Sequence, residues 1–293
     1  MERLDFRDQI SRNKRKSTIL MVSILLIIVI LGYVISLAFN PAYFSMIMII
    51  ATIISVLYVY IGFYNSEKMA IASVGAKKAD RTRHKQFYSL VEGLTIASGL
   101  PMPKLYVMKS DQINAFASGR DPKHAVVCVT EGALKKLNKE ELEGVLAHEL
   151  GHIRNYDIRY ITLVTVLVGM ISIISQIFLR SLWFGSGDRG NDRSQLVFIL
   201  LGILLAILAP IVVYFVQMSI SRKREFAADA SAVQFTRYPR GLINALKKIK
   251  QENIRPEKKI SRAVAPLFIS DPFLRLGRTH PPIDKRIEAL ERM

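Results

Sequence analysis

The apolar residues of this chain are gathered into four long blocks that contain no charged residue. The blocks cover Thr18–Phe39, Tyr43–Phe63, Tyr160–Leu179 and Leu196–Met218. Each block reaches the ~20 residues that a helix needs to cross a hydrocarbon core of ~30 Å. A buried helix of a soluble protein normally carries a polar stripe, and none of the four blocks has one. The pattern therefore predicts four transmembrane helices, the first two of which form a hairpin because only "NPA" separates them.

The first block also resembles a cleaved signal peptide, since the basic stretch "RNKRKS" precedes it. However, its apolar run is longer than the ~7–15 residues of a signal-peptide core. The one small-x-small triplet, Ser36–Ala38, still lies inside that run. The block is therefore interpreted as an uncleaved membrane anchor.

Basic residues flank the four blocks unevenly. Lysine and arginine are frequent before the first block and after the second, whereas the loop 180–195 has three arginines against two aspartates. By the positive-inside rule, both termini and the long polar segments face the cytoplasm across the plasma membrane. The predicted organisation is a basic leader (1–17), a transmembrane hairpin (18–63, with spans 18–39 and 43–63), a cytoplasmic segment (64–159), a second hairpin (160–218, with spans 160–179 and 196–218) and a second cytoplasmic segment (219–293).

Composition agrees with a membrane protein. The 293 residues are 51% apolar and carry a formal net charge of +17. Basic residues next to spans favour an anionic lipid bilayer by about 1 kcal/mol each, which explains the charge. Nucleic-acid binding is not predicted, because no recognition motif accompanies the basic residues. The single cysteine, Cys128, excludes an internal disulfide and every Cys-rich zinc site, and its β-prone surroundings predict a buried apolar role.

The cytoplasmic segments show patterns of both helices and strands. The stretch "LNKEELEGVLAHELGHI" predicts a helix with Asn138 as its cap and Glu141 completing a capping box. Its predicted apolar face is Leu142, Val145, Leu146, Leu150 and Ile153. The other predicted elements are a helix that ends at Gly99, a strand at Lys104–Met108, a hairpin of 113–119 with 124–130 that turns at Asp121 and Pro122, a helix from about Ser221 to Phe235, and a helix over the last dozen residues.

The motif "HELGH" carries the chemistry. Residues four apart point the same way on a helix, so His148 and His152 can offer two imidazole nitrogens to one metal ion. Glu149 lies next to the first histidine and can act on a water molecule held there, as in the H-E-x-x-H pattern of zinc peptidases. The alternative is a surface helix with two solvated histidines.

A third ligand is expected, because catalytic zinc usually has three protein ligands and one open position. Glu225 and Asp229 lie one turn apart in "SRKREFAADASAV", on the same predicted side of the membrane as the histidines. Glu225 can supply an anionic ligand, and Asp229 can hydrogen-bond a ligand histidine. Spacing alone leaves open that Glu225 pairs with Arg222 on the helix surface.

The motifs "HELGH", "SRKREFAADASAV", "INAFASG" and "THPP", interleaved with four spans, resemble the HtpX membrane-bound zinc metallopeptidases. These are relatives of the CAAX prenyl endoproteases within the gluzincin group, and the similarity runs over nearly the whole chain. The resemblance implies a mainly α membrane protein with a cytoplasmic α+β gluzincin-like domain that contains a small β-sheet. It implies a stress-response endopeptidase that degrades damaged or misassembled membrane proteins. It also implies one zinc ion bound by His148, His152 and Glu225, with Glu149 as the catalytic glutamate.

Further roles follow from the same resemblance. Asn114, Ala115 and Phe116 match the gluzincin edge strand that pairs with an extended substrate, with the Asn side chain holding a substrate amide. An ordinary edge strand is the alternative. His280 in "THPP" matches a histidine that donates to the tetrahedral oxyanion, although Pro281 makes a turn residue equally consistent. No role in the site is predicted for three other polar residues. Asp157 is expected to cap a helix or to pair locally near Arg159, and His84 and His124 are expected to be solvated.

Two alternative functions are less consistent with the sequence. An intramembrane metalloprotease carries its motif within a span, but this helix contains Lys139, Glu140, Glu141, Glu143 and Arg154, which are unfavourable in hydrocarbon. A membrane scaffold with structural zinc would normally need four protein ligands, and only three good candidates are visible. The sequence leaves the oligomeric state open, including a homo-oligomer.

Overall fold

The computed structural model describes residues 6–36, 41–164, 166–168, 171, 176, 202–203, 222–253, 267–270 and 281–293. Within these residues the chain is mostly helical, with one small mixed sheet. The helices are α1 (Phe6–Ser36), α2 (Phe44–Tyr64), α3 (Ser66–Ser73), α4 (Lys85–Ser98), α5 (Glu131–Lys136), α6 (Lys139–Arg154), α7 (Arg222–Thr236), α8 (Pro239–Glu252) and α9 (Ile283–Glu291). Residues 157–164 are also helical.

The first two apolar blocks form the helices α1 and α2, which pack along each other. Two stretches are long and apolar enough to cross a membrane, Ile10–Tyr33 in α1 and Phe44–Tyr64, which is α2. Their apolar side chains are largely exposed, as expected for surfaces that face lipid. Helix α1 begins at Phe6, so the basic leader is continuous with the first apolar block instead of forming a separate segment. The predicted spans three and four lie largely outside the described residues.

The sheet has four strands, which are β1 (Lys77–Lys78), β2 (Lys104–Met108), β3 (Ala115–Gly119) and β4 (Ala125–Thr130). Their order across the sheet is β1-β2-β4-β3. Strand β2 pairs in parallel with β4, while β3 pairs antiparallel with β4, and β1 pairs antiparallel with β2. The predicted strand and hairpin are both confirmed, and the hairpin turn is a short 3₁₀ helix, Pro122–His124, capped by the Asp121 side chain. Strand β3 therefore lies at an edge of the sheet.

Helix α6 lies at the centre of the part of the chain that contains the sheet. It begins at the predicted capping box, in which Asn138 accepts from the Glu141 N–H and Glu141 accepts from the Asn138 N–H. Its predicted apolar face is buried against α4 and the sheet. Its other faces are buried as well, because α7 and α8 pack on them. Helix α6 is therefore buried on almost every side between Gly144 and Ile153. The buried role predicted for Cys128, on β4, is confirmed.

Candidate metal and peptidase site

His148 and His152 lie one turn apart on α6, and their Nε2 atoms are 3.2 Å apart. His148 is fully buried and His152 is 8% exposed. The alternative of two solvated histidines is therefore excluded. Burial of two imidazoles inside a protein requires polar partners, and the neighbouring helices supply them.

Helix α7 brings Glu225 to the two histidines. Its Oε1 lies 3.5 Å from His152 Nε2, and its Oε2 lies 3.6 Å from His148 Nε2. The close approach of α7 depends on Gly151, because a Cβ there would lie 3.0 Å from Ser231 Cβ and 3.1 Å from the backbone of Ala228. The glycine of "HELGH" thus lets α7 reach the motif.

The cluster has the dimensions of a metal site. One ligand atom from each of His148, His152 and Glu225 lies within 4.8 Å of the other two. Tetrahedral zinc with bonds of ~2.0–2.1 Å separates its ligand atoms by ~3.3 Å, close to the spacings observed here. The donor set of two imidazoles and one carboxylate fits a zinc ion with an open coordination position.

A buried carboxylate and a buried arginine support His148. Asp229 Oδ1 lies 2.9 Å from His148 Nδ1, so the carboxylate can accept the proton of that nitrogen and leave Nε2 facing the cluster. Arg286, on α9, donates to both oxygens of Asp229 at 2.9 and 2.7 Å. All three side chains are buried. Burial and the Arg286 charge lower the pKa of His148 to about 4, which keeps its imidazole neutral. The sequence predicted that Asp229 can hydrogen-bond a ligand histidine. In the structure, Asp229 lies beside His148 at hydrogen-bonding distance.

Asp157 supports His152. Its Oδ2 lies 3.0 Å from His152 Nδ1, and Asp157 itself is fully buried. Burial alone would lower the pKa of His152, but the hydrogen bond to Asp157 and the charge of Glu225 outweigh it and raise the pKa to about 9. The prediction that Asp157 caps or pairs locally near Arg159 is therefore wrong. The carboxylate instead faces His152 across the turn at Asn155 and Tyr156, where Tyr156 has a φ of 58°.

Glu149 is buried beside the cluster. It is 1% exposed, and neither carboxylate oxygen has a well-formed hydrogen bond to the described residues. Burial raises its pKa to about 7; the Glu225 charge adds to that rise, and the His152 charge opposes it. The N–H of Ala117, on β3, also lies near enough to lower this pKa. A carboxyl group with a pKa near 7 can both take and return a proton at neutral pH.

The outer edge of β3 is occupied by a short segment of the same chain, Leu267–Ser270. Ile269 N donates to Ala115 O at 3.0 Å, and Phe116 and Phe268 form an antiparallel bridge. The Asn114 side chain donates to Ser270 O at 2.9 Å and accepts from Ser270 N at 3.2 Å. The three residues predicted to bind substrate thus contact another segment of the same chain.

The remaining predicted candidates lie away from the cluster or outside the described residues. His280 belongs to the latter group. His84 and His124 lie at the surface, where His84 Nδ1 accepts from Asp80 N and His124 Nδ1 contacts Asp121. Arg286 was missed entirely. Its signal was an arginine at helical spacing on the apolar face of the last helix, between Ile283 and Leu290.

Comparison with known proteins places this geometry in a family. Residues 81–293 match peptidase family M48. The chain is 43% identical over 288 residues to a protease HtpX homolog of Caldanaerobacter subterraneus, a match that covers 96% of this chain and 95% of the relative. It is 41% identical over 301 residues to a protease HtpX homolog of Lactobacillus helveticus, covering 97% and 99%.

Similarity to a solved structure concerns the fold. The chain resembles the crystal structure of Saccharomyces mikatae Ste24p with a TM-score of 0.52 and 19% identity, over 97% of this chain and 67% of that one. Together with two apolar helices long enough to span a bilayer, these matches establish a membrane-associated protease. The chain therefore belongs to peptidase family M48, as an HtpX-type metallopeptidase.

Proposed function

We propose that this chain is a zinc-dependent endopeptidase that cleaves the cytoplasmic regions of damaged or misassembled membrane proteins. The observation that carries the proposal is the buried cluster of His148, His152 and Glu225, with the Glu149 carboxylate beside it. Two imidazoles and one carboxylate match the ligands of catalytic zinc, which keeps one position open. When bound, zinc supplies Lewis-acid chemistry: it makes a water molecule more acidic and polarises a carbonyl group.

Glu149 is the proposed general base and acid. Its carboxylate is buried beside the cluster, and this burial raises its pKa to about 7. It takes a proton from the attacking water and later donates that proton to the leaving amine. Asp157 and Asp229 keep the Nδ1 protons of the two histidines in place, so that each Nε2 faces the cluster. His280 stays a sequence-based candidate for stabilising the oxyanion.

The proposed substrate site is the edge of β3. The Asn114 side chain and the Ala115 carbonyl already form hydrogen bonds with main-chain groups of Leu267–Ser270. This supports their ability to hold an extended peptide substrate. Recognition through backbone groups suits a protease with many substrates. A substrate that uses the same groups has to replace Leu267–Ser270 at this edge.

The proposed location of the site is the cytoplasmic surface of the plasma membrane. Asn13, near the start of the apolar stretch Ile10–Tyr33, contacts Asp157, which contacts the candidate ligand His152. The metal is therefore close to the end of a candidate span, and we expect cuts in segments that leave the membrane. Intact transmembrane helices are spared because their backbone groups are already hydrogen-bonded. The proposed partners are membrane-protein substrates and anionic lipids, with no nucleic acid; self-association is left open.

Metal analysis tests the ligand assignment. Wild-type protein purified without chelator should hold one zinc per chain, and His148→Ala, His152→Ala or Glu225→Ala should each lower occupancy sharply. His124→Ala is the matched control, because this histidine lies at the surface beside Asp121. Full occupancy in Glu225→Ala would remove Glu225 from the ligand set.

Reporter fusions test the topology. Fusions after residues 16, 100, 225 and 293 should all report the cytoplasm, and a fusion within 180–195 should report the outer side. A cytoplasmic signal from 180–195 would contradict the crossing of spans three and four.

A further inference from the structure

An asparagine of the first apolar helix reaches the candidate metal site. Asn13 lies on α1 and is 3% exposed. Its Nδ2 donates to Asp157 Oδ1 at 2.7 Å and to the backbone oxygen of Asn155 at 2.9 Å. The residues in contact are 144 positions apart in the sequence, so this contact links α1 to the end of α6.

The two oxygens of Asp157 have different partners. Oδ1 accepts from Asn13, and Oδ2 faces His152 Nδ1 at 3.0 Å. Because both oxygens are engaged, the carboxylate plane cannot rotate freely, and the direction of Oδ2 depends on the hydrogen bond at Oδ1. The orientation of the His152 ring depends in turn on Oδ2.

The two candidate ligand histidines are supported in different ways. Asp229, beside His148, is held by the bidentate guanidinium of Arg286. Asp157, beside His152, receives its short hydrogen bond from a neutral amide, while Arg224 Nε lies 3.8 Å away. The short hydrogen bond that fixes the Asp157 carboxylate therefore comes from α1.

We propose that Asn13 is a positioning residue for the metal site, and that it acts through Asp157 on His152. The first membrane helix is then part of the peptidase machinery as well as an anchor. Asn13 lies in the basic part of α1, just before the uncharged block begins at Thr18, and it is nevertheless 3% exposed because it packs on Asp157 and Asn155. The inference rests on the proposed role of His152 as a metal ligand.

The test measures zinc affinity of the full-length protein by competition with a chromophoric chelator. Asp157→Ala should raise the zinc Kd by roughly 10–100-fold, the usual effect of removing the partner of a ligand histidine. Asn13→Ala, one step further away, should raise it by roughly 3–10-fold. In the Asp157→Ala background, Asn13→Ala should cause no further change, because its route to the metal is already broken.

Ser17→Ala is the matched control. Ser17 lies one turn further along α1, is equally buried, and donates to the Asn13 carbonyl within its own helix. Its substitution should leave the zinc Kd unchanged. Asn13→Asp keeps the shape of the side chain but places a carboxylate against Asp157, so it should weaken binding more than Asn13→Ala does. This variant keeps the test open if an alanine variant fails to fold.

A spectroscopic signature separates positioning from general stability. The visible spectrum of the Co²⁺-substituted protein should shift in Asn13→Ala and stay as in wild type in Ser17→Ala. An unchanged zinc Kd in Asn13→Ala, or equal losses from Asn13→Ala with and without Asp157, would overturn the inference. If His152→Ala also left the Kd unchanged, the proposed ligand set itself would be wrong, so the two failures are distinguishable.

Discussion

Arg286 offers the sharpest test of how the site is held together. The guanidinium is fully buried and donates to both oxygens of Asp229, which is buried too. Arg286→Met keeps an unbranched side chain of similar length but removes the charge. The Asp229 carboxylate is then left inside the protein with His148 as its remaining partner among the described contacts.

The expected loss is large because the surviving charge is uncompensated. Removing one partner of a buried ion pair costs about 3–5 kcal/mol of unfolding free energy. At about 2–4 °C per kcal/mol for a chain of this size, the Tm should fall by about 6–20 °C. Asp229→Asn combined with Arg286→Met removes both charges and keeps an oxygen that can accept from His148. The double variant should therefore be more stable than Arg286→Met alone.

The assay is thermal unfolding of the purified protein in one detergent, with chelator present so that zinc binding does not contribute. Arg292→Met is the control, because Arg292 lies on the same helix but pairs with Glu288 at the surface. Its loss should be below about 1 kcal/mol. A Tm for Arg286→Met that matches the control, or a double variant less stable than Arg286→Met, would refute the reasoning.

Two further predictions concern metal uptake and the edge strand. Burial lowers the pKa of His152, but Asp157 and Glu225 outweigh this effect and raise the pKa to about 9 in the metal-free protein. A metal ligand, however, must be unprotonated. Zinc binding at pH 7 should therefore release a proton. As the pH is raised towards 9, the zinc Kd should fall by up to about tenfold for each pH unit. A Kd that does not change between pH 6 and pH 8 would contradict this prediction. Ser270→Pro removes the N–H that Asn114 accepts, so Leu267–Ser270 should compete less with substrate and kcat/KM for a peptide should rise several-fold. A lower rate at an unchanged Tm would count against that competition.

Local signals in the sequence predicted much of the fold outside the apolar blocks. The capping box at Asn138 and the stop at Gly99 each depend on residues within one turn, and both are present. The α6 face of apolar residues follows from helical periodicity. The resemblance to HtpX peptidases, and not spacing alone, singled out Glu225 as the partner of the two histidines, and the structure brings the three side chains together.

Features that depend on tertiary packing were missed or misread. Asp157 faces His152 across a turn in which Tyr156 has a positive φ, and sequence spacing does not reveal that turn. The leader joins α1 because lysine and arginine are good helix formers, so charge marks the membrane boundary without ending the helix. Helix α8, which has Pro239 at its first turn and a strong apolar face, was overlooked among the prolines that follow it.

The substrate edge shows a different limit. The motif around Asn114 predicted which groups hold an extended peptide, and the structure engages those groups. The sequence did not indicate that Leu267–Ser270 would occupy them, because nothing in "PLFIS" marks it as a partner of a strand about 150 residues earlier. Long-range strand pairing is decided by packing, here by Phe268 against Phe116.

Substitution of Glu149 by glutamine tests the central claim most directly. The amide keeps the size of the side chain and leaves His148, His152 and Glu225 intact, but it cannot take a proton from water. The variant should therefore retain one zinc per chain, while kcat/KM for peptide hydrolysis falls by about 10²–10⁴-fold. Hydrolysis at the wild-type rate by zinc-loaded Glu149→Gln would contradict the assignment of this chain's catalytic base.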